Sequence, residues 1–243
     1  MNTLLISFGK MISIISRFLN LGSGSTWPGH IALNINKNFI KEIVNNNSQL
    51  KIILIAGTNG KTTTSKLIRT ILEKNKIRVI HNESGANLIN GIASVLIQNA
   101  SISGKVNSDY AIFEIDENTL PLILKEINNP DFVIILNLFR DQLDRYGEVN
   151  TIASKWKDAI RHLPSETKLI LNADDPQITY LGFYHISKAI PIPYRKRSYD
   201  QVFFFGLNEK PSGKKLQHAS DSTYCPNCGN KLFYKSFQYS PSH

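Results

Sequence analysis

The sequence predicts an α/β protein: a mostly parallel sheet with helices on both faces and a phosphate-binding loop at its start. Three observations carry that expectation. "KIILIAG" is a β-branched run ending in glycine, and after "TNGK" the residues Leu67, Ile68, Ile71 and Leu72 recur at helical spacing. Four further apolar runs alternate with helical patterns, as parallel strands with crossover helices do. The polar residues that follow these runs fall where the strands end, the edge at which open parallel sheets bind ligands.

In chain order, "MNTLLISFGKMISIISRFLNLGSGS" opens the protein. No basic residue precedes its apolar run, and Lys10 and Arg17 interrupt it, which argues against a signal peptide and leaves no stretch long enough to span a bilayer. An amphipathic helix is expected instead, with Leu4, Leu5, Phe8, Met11, Ile12, Ile15 and Leu19 on one side packing on the main domain. Contact with a membrane surface is the alternative. "GSGSTWPG" reads as a flexible link, so residues 1–48 form a helix-and-linker segment and residues 49–208 the main domain. Within that domain, strands are expected at "KIILIAG", Ile77–Ile80, "YAIFEID", "FVIILNL" and "KLILNA", with helices after the loop and over 87–98, 119–128 and 150–162. Residues 209–243 hold "YCPNCGNKLFY", a partial zinc-ribbon segment.

Composition narrows the function classes. Two cysteines cannot make a secreted disulfide scaffold, and their pairing as "CPNC" suits a reducing compartment such as the cytoplasm. The net charge of +9 suits an anionic partner such as a nucleotide, a pyrophosphate or a membrane face, or reflects only a lysine- and asparagine-rich composition. No basic run interleaved with aromatics appears, so nucleic acid finds little support.

The loop between first strand and first crossover helix is the clearest chemical signal. Backbone N–H groups and the positive end of a helix dipole converge there. Gly57 and Gly60 let the backbone approach phosphates, Lys61 can reach the β and γ oxygens, and the Thr62 hydroxyl can sit on Mg²⁺. Thr58, Asn59 and Thr63 complete the expected ATP-binding loop. Ile55 stands where the general P-loop pattern has a glycine, and a simple turn containing Gly-Asn-Gly is the plain alternative. A magnesium nucleotide wants a carboxylate, and Glu114, leaving the buried run "AIFEIDE", is the candidate; otherwise it is a solvated strand-end acid. Asp116 and Glu117 follow it. Asp141, in "RDQLDRYGE", is a further acid or a helix cap.

"GTNGKTTT", the Glu114 strand, "NLFRDQLDRYGE" and "LNADDP", in this order and spacing, resemble the central ATPase domain of the Mur ligases over about residues 52–176. That family lacks the glycine at position 55. The resemblance implies activation of a carboxylate by ATP as an acyl phosphate and attack by an amine, with Lys61 and Glu114 catalytic, Thr62 and Glu114 holding Mg²⁺, and Asn172 and Asp175 near the nucleotide. It also implies a carbamylated lysine bridging metal, for which Lys155, or else Lys157, of "SKWKDAI" is placed, though two exposed lysines on a surface helix are the plainer reading.

The chain departs from the amino-acid-adding members. Only residues 1–50 precede the first strand, where those enzymes carry a nucleotide-sugar domain, and Gln142 stands where they have histidine. With "GSGSTWPGHIAL", "HNESGANLINGIAS" and "CPNC", these departures resemble the amidating branch of the family. That branch implies amidation of the α-carboxyl of D-glutamate in the lipid II stem peptide, with ammonia from a GatD-type glutaminase partner, at the inner face of the cell membrane. A zinc ribbon needs two Cys-x-x-Cys pairs; Cys225 and Cys228 supply half of a Zn²⁺ site unless His218, His243 or another chain contributes. A redox pair is the competing reading of the cysteines. The missing second pair implies a polypeptide that is incomplete at its C-terminus and inactive alone. A folylpolyglutamate synthase-like ligase and a non-catalytic nucleotide-binding fragment are the two rival readings.

Overall fold

The computed structural model describes residues 1–18, 26–82, 85–139, 148–188, 201–207 and 224–232. Three helices come first: α1 (Asn2–Phe18), α2 (Trp27–Ile35) and α3 (Phe39–Asn45). The sequence pattern does not foresee α2 or α3, because residues 1–48 read as one helix followed by a link. Pro28 sits in the first turn of α2, where the missing N–H costs nothing.

The sheet then alternates with helices: β1 (Lys51–Ala56), α4 (Lys61–Lys74), β2 (Val79–His81), α5 (Ile89–Asn99), β3 (Tyr110–Ile115), α6 (Leu120–Glu126), β4 (Phe132–Ile135), α7 (Glu148–Ile160), β5 (Lys168–Asn172), α8 (Pro176–Lys188) and β6 (Val202–Phe205). The last helix and strand lie beyond the expected pattern. All pairings are parallel, in the order β2-β3-β1-β4-β5-β6. From β1 the chain steps to one side for β2 and β3, then crosses to the other for β4 to β6. The crevice of the sheet therefore opens where β1 meets β3 and β4.

Alternation along β1 divides the interior in two. Ile52, Leu54 and Ala56 join a large core with helices α5 to α8, while Ile53 and Ile55 meet Ile68 and Leu72 of α4 on the opposite face. Trp156 of α7, fully buried, donates from Nε1 to the Glu117 carbonyl at 2.7 Å and so ties a helix to the turn after β3.

The N-terminal helices join the larger core through Leu5, Ile6, Ala32, Phe39 and Ile40. The packing of α1 corrects the expected face. Leu4, Phe8, Met11 and Ile15 are exposed, and the buried side is Leu5, Ile6, Gly9, Ser13 and Ser16. Small residues win because they allow close approach: a Cβ on Gly9 would stand 2.8 Å from Ile97 Cγ2. The contact of α2 with α5 is closer still. A Cβ on Gly29 would lie 1.9 Å from the Asn90 carbonyl oxygen, and the Gly29 N–H donates to Ser94 Oγ at 2.8 Å.

Among the described residues no helix is long and apolar enough to cross a membrane.

Candidate nucleotide-binding site

The loop between β1 and α4 is shaped by two left-handed glycines. Gly57 has φ of +146° and Gly60, capping α4, has φ of +85°. At Gly57 space is also short, since a Cβ would meet Leu136 Cβ at 3.0 Å and the Asn137 backbone at 3.1 Å. At Gly60 the nearest such neighbour is 3.6 Å away, so conformation alone requires glycine there.

Asn137, just past β4, holds this loop from the side. It accepts the Asn59 N–H on Oδ1 at 2.8 Å and donates from Nδ2 to the Asn59 carbonyl at 3.1 Å. Its carbonyl accepts the Thr58 N–H at 3.1 Å. The Thr58 hydroxyl donates to the Phe139 carbonyl at 3.3 Å and accepts the Phe139 N–H at 3.0 Å. The loop is thus pinned at Thr58 and Asn59 before any ligand is considered, which reduces the ordering cost of binding.

Lys61 opens α4 and folds back over the loop, donating from Nζ to the Gly57 carbonyl and to the Thr58 carbonyl at 3.0 Å. Glu117 Oε2 lies 4.0 Å from the same ammonium. Burial pushes the Glu117 carboxyl above its ordinary range, against the opposing pull of nearby N–H groups and Lys61.

Next to it, Thr62 Oγ1 donates to Glu114 Oε2 at 2.8 Å, joining the helix start to β3. Glu114 is 5% exposed and stands opposite Ile55 in the parallel register. Its backbone is held by a residue that the sequence reading passed over. Beyond His81 the β2 ladder stops, and the buried Asn82 side chain continues it: Nδ2 donates to the Glu114 carbonyl at 2.9 Å, and Oδ1 accepts the Glu114 N–H at 2.8 Å. Asn82 Nδ2 also donates to the Ala86 carbonyl at 2.8 Å. The only sequence signal for this was position, two residues past the apolar run in "IRVIHN".

The donor set fits a magnesium nucleotide. A hydroxyl and a carboxylate meet at hydrogen-bond distance, both hard oxygens of the kind Mg²⁺ takes, beside a lysine and a glycine loop at a helix N-terminus. Thr63, exposed, follows on the same turn.

The other expected residues lie at the same sheet edge with different work. Asp175 is buried; its Oδ1 accepts the N–H groups of Gln177 at 2.9 Å and Ile178 at 3.3 Å, capping α8, and its Oδ2 accepts the Leu138 N–H at 3.0 Å. Asn172 turns its Oδ1 onto the Asp174 N–H at 2.9 Å. Lys155 is exposed on α7, and the Lys157 Nζ sits 5.5 Å over the Tyr180 ring. Asp141 and Gln142 lie outside the described residues, as do His218 and His243.

Cys225 and Cys228 sit on a tight turn. The Gly229 N–H donates to the Cys225 carbonyl at 2.9 Å, with Gly229 at φ of +72°, and the Cys225 N–H donates to the Asn230 carbonyl at 2.8 Å. Backbone N–H groups of Cys228 and Asn227 pull the Cys225 thiol below its ordinary value. Among the described residues no group of three or more His, Cys, Asp or Glu side chains gathers as a metal cluster, so the ribbon remains a pair of cysteines there.

Comparison with known proteins agrees with this geometry. Residues 55–226 match the Mur ligase middle domain. The chain is 34% identical over 216 residues to the lipid II isoglutaminyl synthase (glutamine-hydrolyzing) subunit MurT of Staphylococcus aureus, covering 89% of this chain and 44% of that protein. Against the subunit of the same name from Streptococcus pneumoniae it is 36% identical over 219 residues, covering 90% and 44%. The chain thus spans less than half the length of these relatives. Among solved structures, MurF of Acinetobacter baumannii superposes with a TM-score of 0.53 at 19% identity, over 69% of this chain and 33% of that one. MurF of Thermotoga maritima in complex with ADP gives 0.52 at 19% identity, over 72% and 37%. At that identity the likeness shows the fold.

Proposed function

The chain belongs to the Mur ligase family, and from that premise we propose that it carries the nucleotide site of an ATP-dependent carbon-nitrogen ligase of peptidoglycan synthesis. One observation carries the proposal: the Thr62 hydroxyl and the Glu114 carboxylate, 2.8 Å apart, meet beside Lys61 at the mouth of the β1 loop. In more detail, the proposed reaction amidates the α-carboxyl of D-glutamate in the lipid II stem peptide. Ammonia would come from a GatD-type glutaminase; the words glutamine-hydrolyzing and subunit in the names of the two MurT relatives support an ammonia source in a companion subunit. ATP use and a lipid-borne acceptor would put the reaction in the cytoplasm, at the inner face of the membrane.

The chemistry follows from leaving groups. Ammonia cannot displace oxide from a carboxylate. The substrate carboxylate oxygen therefore attacks the γ-phosphorus of ATP and ADP leaves; ammonia then attacks the acyl carbon, losing a proton, and phosphate leaves. Both steps need alignment and charge neutralisation more than covalent help. Lys61 would turn its ammonium from the loop carbonyls to the phosphates, and the N–H groups of the loop and of the α4 start would hold the β oxygens. Thr62 and Glu114 would hold Mg²⁺, which neutralises charge on the phosphates when bound. Asn137 keeps the loop in place, and Asn82 keeps Glu114 in place. Asp175 would act from behind, by fixing Leu138 and the start of α8, with Asn172 at the end of β5 beside the nucleotide. Zn²⁺ on Cys225 and Cys228, and carbamylation of Lys155 or Lys157, belong to the same proposal as separate elements.

Magnesium-dependent binding of a fluorescent ATP analogue to this chain, and amidation of lipid II on adding the glutaminase followed by mass spectrometry, test it together. Binding that Lys61→Ala and Glu114→Ala both abolish supports the reading. Equal binding by all three proteins overturns it, whatever the amidation assay gives.

A further inference from the structure

Two acids stand three residues apart at the end of β3, and the proposed reaction gives work to only one of them. Glu114 meets the Thr62 hydroxyl, whereas Glu117 brings its Oε2 to 4.0 Å from the Lys61 ammonium. Both side chains of that pair are 14% exposed, so water screens the contact only partly. A carboxylate here works against the rest of the loop. The loop N–H groups, the start of α4 and Lys61 all favour a polyphosphate, and a negative charge fixed beside them opposes it.

The acid is held where it is. Its own carbonyl accepts the Nε1–H of the fully buried Trp156 at 2.7 Å, and the Asp116 carbonyl accepts the Thr119 N–H at 2.9 Å and the Leu120 N–H at 3.1 Å. The turn from β3 into α6 is closed by these bonds, and the backbone of Glu117 is not free to follow a moving partner. Lys61 is the partner that moves. An ammonium carries three N–H donors; two of them rest on the Gly57 and Thr58 carbonyls, and the charge faces Glu117. Burial raises the Glu117 carboxyl above its ordinary range, and Lys61 and the Thr58 side chain are among the groups that draw it back, so the acid is matched to this arrangement of the loop.

We propose that Glu117 is a positioning residue for Lys61, a fixed counter-charge that keeps the ammonium on the loop carbonyls until the phosphates of a nucleotide draw it away. This rests on the nucleotide reading of the loop and adds to it the group that sets how readily Lys61 is released. Nucleotide and Glu117 compete for one cation. Affinity is therefore lower than the loop alone would give, and a bound nucleotide leaves more readily.

Two measurements on the full 243-residue chain test it, one without nucleotide and one with it. The first is the rate at which sulfosuccinimidyl acetate modifies Lys61, read by peptide mass spectrometry against Lys66, which is exposed on the same helix. The second is calorimetric titration with magnesium-ATP. Glu117→Gln should raise the relative rate at Lys61 about threefold or more and tighten magnesium-ATP about fivefold or more, because the counter-charge is gone while the shape is kept. Glu117→Asp, with its carboxylate drawn back by one methylene, should move both in the same direction by less, and serves alone if the first variant does not fold. A Lys61 rate that neither variant changes overturns the proposal, whatever the titration gives. So does weaker binding by Glu117→Gln, which would put Glu117 among the groups that hold the nucleotide or its metal, and unchanged binding, which would leave the pair a structural contact. If the unaltered chain binds no magnesium-ATP, the nucleotide reading falls and the competition with it, while the Lys61 rate still reports whether Glu117 holds the ammonium.

Discussion

The rim of the sheet and the N-terminal helix treat their side chains in opposite ways. At the rim, polar groups are turned on one another: Asn137 on Asn59, Thr62 on Glu114, Asn82 on the backbone of Glu114. On α1, Leu4, Phe8, Met11 and Ile15 face away from the protein, while Leu5 and Ile6 pack inward together with the small Gly9, Ser13 and Ser16. The difference teaches that a residue's chemical type does not decide which way it faces. What decides is what the neighbouring backbone can accept. Where strands end, unpaired N–H and C=O groups need partners and collect amides and acids. Where two helices must approach within reach of Ser94 and Ile97, only glycine and serine fit, and the apolar side is left outward.

The comparison breaks first at the close helix contacts. Gly29→Ala forces a methyl group into the Asn90 carbonyl, backbone against backbone, and should cost about 3 kcal/mol or more. Urea denaturation measures it. The outward Phe8→Ser, on the same layer, should stay within about 0.5 kcal/mol of the unaltered protein. Similar losses from both would mean that α1 buries its apolar face after all.

At the rim the largest effect is on binding and not on folding. Lys61→Ala should weaken magnesium-ATP binding about a hundredfold, equivalent to about 2.7 kcal/mol, with the denaturation midpoint nearly unchanged. Calorimetric titration reads the first and urea the second. A protein that unfolds instead would place Lys61 among the structural groups.

Asn82 lies between these extremes, because it is both buried and next to the site. Asn82→Ala removes the partners of the Glu114 N–H and C=O, and should cost about 1 to 3 kcal/mol in stability. If its role is to aim Glu114, the variant should also need more Mg²⁺ to reach half-maximal nucleotide binding, while metal-free binding stays as it was. A purely structural role would move the stability and leave the magnesium requirement unchanged.

Much of the rim was legible in the sequence, because a glycine loop and an acid at a strand end are local signals with fixed spacing. The structure brings Gly57 against Lys61 and Thr62 against Glu114. Asn82 was not legible, since its partner lies 32 residues away and only the parallel register brings them together. The strand and helix alternation from β1 to β5 was readable from apolar periodicity, whereas α2 was hidden behind "GSGSTWPG", a composition that suits a turn as well as a Pro-initiated helix. The outward face of α1 was hidden for a different reason. Periodicity finds the apolar stripe but carries no information on which face has the closer fit, and that was fixed by Gly9 against Ile97 and Pro28.

The smallest expected effect is at the far end of the same sheet, where the strands begin. Arg78 and Asp109 pair there at 2.8 Å, and the Arg78 backbone N–H also donates to Asp109 Oδ2 at 2.9 Å. The Arg78 side chain, and then its backbone N–H, hold the Asp109 carboxyl down at about 2, against an ordinary 3.8. A depressed carboxyl favours the folded state while ionised. That contribution is complete above about pH 4 and fades as pH falls toward 2, where the folded form takes up its proton. Asp109→Asn should therefore flatten the stability curve only in that acid window, and leave nucleotide binding at neutral pH unchanged. Both groups are in solvent, so the loss at neutral pH should be small, and added salt should shrink it further. A large loss at neutral pH would show instead that the start of β3 depends on the Arg78 backbone bond, and that pinning by side chains is a property of both ends of the sheet and not of the binding rim alone.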